Sequence, residues 1–313
     1  MGGHRREGVF SYIAYAAVRI FGFFLGVLPY RWAQKVGSAL GRFIAFVDRP
    51  HIKRAISSIQ PALGVSEVEA RRIAIASYRH IGMVAAEFFQ MARMKTPEEF
   101  RKYVILDSSK DFHGHFDKGK GVVTPTGHFG NWEYCGQMMV VEGMPPGSIV
   151  KPFKNMYLAE FVEDVRERWG LVCVEKSKRG VVEAVRRVRS GLLMGIMSDQ
   201  HADEGIETTF FGRPCKTVDT AARIALRAGA PMVPVTNYRR EDGKHVLVVW
   251  PEIKRPEGVG DEAEAVKLMT QEMNHTFERA IREHPEQWMW THRRYRETDS
   301  ITTPPSTMNA DNA

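Results

Sequence analysis

Two side chains able to move a proton lie close together in residues 121–133, GVVTPTGHFGNWE. His128 follows a short β-branched run broken at Pro125 and Gly127, and four residues separate it from Glu133. A buried strand that delivers an imidazole into a loop at a helix start is a common way to display a general base. Residues five apart do not share a helix face, so the two side chains converge only if His128 lies in the loop and Glu133 in the first helical turn. There the carboxylate would orient one ring nitrogen and leave the other free to accept a proton. The same two residue types also make structural or surface pairs, and spacing alone does not choose between these readings. His113 and His115 fall in a polar loop nearby. Neither a His-Glu-x-x-His helix nor paired Cys-x-x-Cys spacing occurs, so no metal site is expected.

The elements that must hold these groups read as alternating strands and helices. A mostly apolar helix is expected over 134–141, and strands over 148–153, 171–175 and 192–197. Between them, helical spacing runs over 157–169 and 180–189, with Gly191 as the stop. The run over 192–197 is apolar throughout and ends in Ser198, Asp199 and Gln200. Open α/β sheets place their chemistry at such carboxyl ends. Thr217 or Asp219 caps a helix through 223–228, and strands over 231–238 and 245–250 flank Asp242-Gly243, a hairpin signal. A long helix over 262–283 stops at Pro285. Upstream, Ser66 and Glu69 form a capping box for a helix reaching about Met91, and Thr96-Pro97 marks another start. This alternation predicts an α/β fold with a mainly parallel central sheet covered by helices. The polar stretch from 298 to 313 reads as a disordered tail.

The chain has 313 residues, 43% hydrophobic and 26% charged, enough for one large α/β domain or two small ones. Its net charge of +7 favours anionic partners: nucleic acid, anionic lipid, phosphate-bearing substrates or an acidic carrier protein. No recognised nucleic-acid motif or basic–aromatic platform is present, so nucleic acid is not expected. Cys135, Cys173 and Cys215 are too few and too scattered for a disulfide framework, which favours a reducing compartment.

An apolar stretch over 9–28 follows His4, Arg5 and Arg6. Roughly 20 residues suffice to span a bilayer as a helix. Arg19 interrupts the stretch, and a charge at the bilayer centre costs about 2.5–3.5 kcal/mol on insertion scales. The segment therefore reads as membrane-attached, either in the interface or tilted with Arg19 near a surface or against the protein. It lacks a clear cleavage site before Pro29 and continues amphipathically through Trp32, Val36, Leu40 and Phe43. The organisation expected is a membrane-associated helical segment at 1–45, a catalytic domain at 46–297 and the tail at 298–313.

At His128-Phe129-Gly130-Asn131-Trp132-Glu133 the chain resembles the bacterial lipid A biosynthesis acyltransferases, the lauroyl and myristoyl transferases with a His-x4-Asp/Glu motif. The companions follow in family order: Lys151 and Asn155, Arg166 and Arg168 with Gly170, Asp199-Gln200, Phe210 to Pro214, and the QWMWTHRR run from Gln287 to Arg294. The resemblance implies a glycerol-phosphate-acyltransferase-like fold and transfer of an acyl group to a glycolipid hydroxyl. The donor would be a thioester on acyl carrier protein or CoA, used as co-substrate with no other cofactor. It also implies residence at the bacterial cytoplasmic (inner) membrane, with the active site facing the cytoplasm and an anionic membrane surface as partner.

In that chemistry His128 is the base and Glu133 fixes its tautomer and stabilises the imidazolium. The N–H groups around Gly130 and Asn131 are candidate oxyanion donors, with Arg166 a side-chain donor favoured over Arg168. Asp199 and Gln200 would support the loop or touch the acceptor, and Glu207 is a further candidate. Phe210 and Phe211 could line an acyl channel. Lys151, Lys154, Asn155, Arg213 and the Arg293-Arg294-Arg296 run could attract a phosphorylated acceptor or an acidic carrier. Each of these has a plainer alternative, core for the aromatic pair and a solvated face for the charges. A Cys135 acyl-enzyme is disfavoured because free Cys on an apolar helix is usually inert. Phosphatidylinositol mannoside or another glycolipid acceptor, hydrolysis, and a catalytically retired lipid-binding homologue remain as rival readings.

Overall fold

A computed structural model describes residues 8–107, 114, 119, 121–144, 146–151 and 154–295. His113, His115, Arg296 and the tail at 298–313 lie outside the described residues. Strand β2 (Val122–Thr126) is buried at all five positions, as a strand covered on both faces requires. It pairs in parallel with β5 (Leu193–Met197), from Val122 opposite Leu193 to Thr126 opposite Met197. On the other side of β5 lie β3 (Pro146–Val150) and then β4 (Val172–Glu175), both parallel. Parallel neighbours need crossovers. Helices α6 (Glu133–Val141), α7 (Met156–Arg168) and α8 (Lys178–Arg189) lie in the connections of this β2-β5-β3-β4 sheet.

A second sheet, ordered β1-β9-β8, combines β1 (Val104–Asp107), β8 (Val235–Arg239) and β9 (His245–Val249). β1 runs parallel to β9, whereas β8 and β9 form the hairpin that Asp242-Gly243 signals, with Gly243 at φ 84°. A parallel bridge between Val123 and Met232 joins the chain entering β8 to the open edge of β2. The expected strand over 231–238 therefore begins at Val235, after this single bridge. A third pairing, β6 (His201–Phe210) with β7 (Arg213–Thr217), is an antiparallel hairpin. Its turn residues Phe211 and Gly212 both take positive φ, as a type I′ turn demands. Neither β1 nor this hairpin is expected from the sequence: β1 is short, and Pro214 within β7 argues against a strand. Among the described residues the parallel sheet is thus one of three, and the fold is mixed α/β.

The helices before β1 are α1 (Val9–Val27), α2 (Tyr30–Val47), α3 (Arg49–Leu63), α4 (Glu67–Met91) and α5 (Pro97–Arg101). Ser66 and Thr96 cap α4 and α5, accepting from the N–H of Glu69 and of Glu99. Helix α9 (Thr220–Ala228) and the long α10 (Glu262–Glu283) complete the cover, and Asp261 caps α10. Helix α2 crosses α4 closely enough that a Cβ on Gly82 would collide with the backbone of Gly37 and Gly41. Two backbones meeting this way cannot absorb a branched side chain. Gly82→Val is therefore expected to cost at least about 1–3 kcal/mol, read as a lower urea midpoint.

Candidate active site

The β2–β5 register decides what meets His128. Thr126 stands opposite Met197, so His128 and Asp199 each lie two residues beyond a paired strand end. The Ser198 N–H donates to the Thr126 carbonyl at 2.8 Å and continues the ladder by one step. His128 Nδ1 then lies 2.9 Å from Asp199 Oδ1, and the His128 backbone N–H donates to Asp199 Oδ2, also at 2.9 Å. Trp288 Nε1–H donates to the same Oδ2 at 2.8 Å. The Asp199 carboxylate is 1% exposed and the imidazole 18%, a buried orienting group behind a reachable ring. With Nδ1–H bonded to Asp199, Nε2 is left to accept a proton. The Gln200 side-chain amide stands 3.4 Å from that Nε2, and the Trp132 ring meets the imidazole edge-on.

Burial would raise the Asp199 pKa. The attraction of His128, its two hydrogen bonds and that of Trp288 outweigh burial and hold the carboxyl at about 2. A carboxyl depressed in the fold stabilises it above the unfolded pKa near 4, and that contribution disappears as pH falls toward 2. The stake is about 2 kcal/mol. In urea unfolding, the stability gap between the native chain and Asp199→Asn is expected to narrow as pH falls below 4.

Glu133 occupies the first position of α6, as its spacing suggests, but it does not meet His128. Arg166 reaches from α7 and grips it at both oxygens, Nε to Oε2 at 3.0 Å and Nη2 to Oε1 at 2.6 Å. The expected Glu133–His128 contact is therefore corrected: Asp199, 71 residues downstream, is the imidazole's carboxylate. Burial works against the charge on Arg166, and Glu133 more than offsets it, so the guanidinium stays charged.

The backbone donors proposed from sequence are also committed elsewhere. The Gly130 N–H bonds the Gln287 carbonyl at 3.0 Å, and the Asn131 N–H bonds Asn237 Oδ1 at 2.8 Å. Buried N–H groups must find partners, and these found them inside the protein. Gly130 sits at φ 47° with no room for a Cβ beside Asn237. Asn131 is fully buried and donates to Glu87 Oε2 at 2.9 Å. Glu87 in turn accepts from Gln34 and from both Nε and Nη2 of Arg239, each at 2.7 Å. Arg239 Nη1 donates to His80 Nδ1, and His80 Nε2–H donates to the Gly130 carbonyl at 2.8 Å. Burial would raise the Glu87 pKa, yet Arg239 and His245 hold it well below the usual range. This buried network behind the loop goes beyond the sequence expectations. Its sequence signal was Glu87 standing alone among apolar residues on α4.

The other candidates separate into structural and exposed positions. Arg168 bonds the Ala92 carbonyl at the end of α4. Asn155 caps α7 through the Leu158 N–H and donates to the Ser11 carbonyl of α1. Phe210 is fully buried against Trp288, and Phe211 packs edge-on to Phe210, so the expected acyl-channel pair is core. Arg213 lies 3.9 Å over the Tyr295 ring. Arg294 is 1% exposed and donates to Lys216 and Thr217, which removes it from any phosphate-attracting surface. Glu207 is exposed on β6 opposite Lys216, and Lys151, Lys154 and Arg293 are exposed. Burial pushes the Cys135 thiol up to about 12, leaving it unreactive. Burial likewise brings His292 down to about 4, against the pull of Asp199, so this ring near the site is neutral at pH 7.

The family model of the bacterial lipid A biosynthesis acyltransferases matches residues 4–297. A lipid A biosynthesis acyltransferase of Haemophilus influenzae is 22% identical over 91% of this chain and 90% of its own length. A lipid A biosynthesis lauroyltransferase of Escherichia coli is 24% identical over 86% of this chain and 87% of its own. A phosphatidylinositol mannoside acyltransferase of Mycobacterium tuberculosis is 26% identical over 54% of this chain and 53% of its own. The match reaches from before α1 to just past the Trp288 segment that holds Asp199, and so includes every element of the site. The chain belongs to the bacterial lipid A biosynthesis acyltransferase family.

Proposed function

We propose that this acyltransferase moves a fatty acyl chain from a thioester, on acyl carrier protein or CoA, to a hydroxyl of a lipid A precursor. His128 Nε2 takes the hydroxyl proton as the oxygen attacks the thioester carbonyl. Asp199 positions the ring through Nδ1 and stabilises the imidazolium that forms. The tetrahedral intermediate collapses with cleavage of the C–S bond, and the imidazolium returns its proton to the leaving thiolate. Since Gly130 and Asn131 have spent their N–H groups, the Gln200 amide, 3.2 Å from Nδ1 and 3.4 Å from Nε2 of the ring, is a side-chain donor for the oxyanion. Glu133 and Arg166 act as one unit at the start of α6, a fixed ion pair of no net charge.

The observation that carries this reading is the His128–Asp199 pair at the paired ends of β2 and β5, in a chain of an acyltransferase family. The parallel sheet with its site at the carboxyl edge fits a glycerol-phosphate-acyltransferase-like core. The net charge of +7 suits an anionic carrier and an anionic membrane surface. We place the enzyme at the bacterial cytoplasmic membrane with its site toward the cytoplasm, attached through the apolar α1. A phosphatidylinositol mannoside acceptor is the second reading, favoured by the mycobacterial relative.

The test is the purified full chain with acyl carrier protein and acyl-CoA donors against lipid A precursors and phosphatidylinositol mannosides. Transfer to one acceptor class, lost in His128→Ala, is the expected result. Near-native transfer by His128→Ala would overturn the mechanism. Thioester hydrolysis without transfer to any acceptor would overturn the function.

A further inference from the structure

Helix α1 is apolar enough to cross a membrane, yet one side of it is fastened to the catalytic domain along its whole length. Near its start, the Ser11 carbonyl accepts from Asn155 at 2.9 Å, and Tyr12 and Tyr15 pack on Tyr157 of α7. In its middle, the Arg19 guanidinium lies 4.3 Å over Phe161 and bonds the Tyr15 hydroxyl. At its end, Gln90 Nε2 donates to the carbonyls of Leu25 and Leu28. These ties extend over roughly 25 Å of helix, against a hydrocarbon core of about 30 Å. Were α1 to cross, α7 would be carried to membrane depth with its exposed Glu160, Asp164 and Glu167. The interrupting charge, Arg19, is already packed against the protein.

Helix α2 shares the arrangement. On α4, positions 78, 82, 86 and 89 follow spacings of 4, 4 and 3 and form one stripe, with Arg93 just past the end of the helix at Met91. Helix α2 rests on Tyr78, Gly82 and Ala86, and α1 on Phe89 and Arg93. Both helices therefore turn their far sides the same way. On α2 that side is Trp32, Val36, Leu40, Phe43 and Val47, all exposed and at the same helical spacing. On α1, Phe10, Ile13, Ile20 and Phe24 are likewise exposed. From Gly8 to Val47 there is no Asp or Glu, while Lys35 and Arg42 are exposed and Lys35 lies over the Trp32 ring.

We propose that α1 and α2 together form an in-plane surface that enters one leaflet of an anionic phospholipid bilayer, with α1 lying in that leaflet and not crossing it. Aromatic and aliphatic side chains on one face, bordered by cations without any acid, are what an interfacial helix pair requires. Acidic lipid headgroups are the complement of that charge pattern. The proposal rests on the membrane attachment put forward above and adds its geometry: a second helix takes part, and the N-terminal end of α1 stays on the side of the catalytic domain.

The experiment uses the full chain in vesicles of phosphatidylcholine with phosphatidylglycerol. Gly8→Cys, just before α1, and Lys178→Cys, exposed on the catalytic domain, are labelled with a membrane-impermeant maleimide. The unsubstituted chain with its three cysteines sets the baseline. Phe21→Cys and Phe43→Cys carry a polarity-sensitive fluorophore. Equal labelled fractions at 8 and 178, with blue shifts at both 21 and 43 on adding vesicles, are expected. Labelling at 8 only where 178 is protected would show a crossing helix and overturn the proposal. A water-like probe at 43 on bound protein would remove α2 from the surface. A blue shift at 43 already present without vesicles, together with a dimeric mass, would assign the face to a second copy of the chain. No vesicle binding at all would overturn the attachment itself, an outcome distinct from a wrong geometry on a bound enzyme.

Discussion

Asp199→Asn is expected to slow acyl transfer by about 10²–10⁴-fold, close to the loss in His128→Ala, while the loop stays in place. An asparagine can keep its oxygen where Oδ2 now accepts from the His128 N–H and from Trp288. Its amide nitrogen then faces His128 Nδ1, where a carboxylate oxygen stood. A donor at that point forces Nδ1 to be the acceptor and drives the ring proton onto Nε2, the atom that must be free to take the hydroxyl proton. The expected signature is a fall in kcat with little change in KM. The same substitution separates Asp199 from Glu133. Glu133→Gln leaves the imidazole's partner untouched and halves the grip on Arg166, so its loss is expected to be much smaller. Equal losses in kcat for the two variants would return the orienting role to Glu133.

The second large effect concerns stability. Glu87→Ala is expected to cost about 3–5 kcal/mol, because it leaves the Arg239 guanidinium buried without its carboxylate. Glu87 and the Arg239 side chain are 0% and 6% exposed, so water cannot substitute for the lost partner. Replacing both by apolar side chains of similar volume, Glu87→Leu with Arg239→Met, removes both buried charges and is expected to restore most of the stability. Activity is expected to recover less than stability. Asn131 loses its Glu87 acceptor, and His80, which holds the Gly130 carbonyl, loses the arginine that orients it. Urea unfolding and transfer rates measured on the two variants and the native chain check both halves. If Glu87→Ala unfolded at the native midpoint, the network would have no such weight.

Local rules carried much of the fold. Ser66, Thr96 and Asp261 each bond an N–H in the first turn of a helix, an interaction within four residues in sequence, and such signals can be read in one dimension. The buried strand over 193–197 announces itself because a strand covered on both faces carries an apolar run, whereas in 122–126 only Val122 and Val123 give that signal and the strand continues through Thr124, Pro125 and Thr126. The β6–β7 hairpin was hidden because its turn uses Phe211 at positive φ, a conformation the residue type disfavours, held with help from Glu278 accepting the Phe211 N–H. Arg294 and Phe210 misled for a related reason. Residue type announces charge or aromaticity but not the direction of the side chain, and both point inward.

The opening His128 and Glu133 mark the division most clearly. The sequence by itself determined that His128 would stand in a loop between a buried strand and a helix, and that Glu133 would begin that helix. It also carried the family, through motifs in order along nearly the whole chain. Only the tertiary structure decided which carboxylate serves the imidazole. That choice depends on β2 lying beside β5 with Thr126 opposite Met197, and strand register is a long-range property that no local spacing encodes. A nearer acid in sequence was available, but a cation from α7 had claimed it, and the strand pairing brought another acid to within 2.9 Å of the ring.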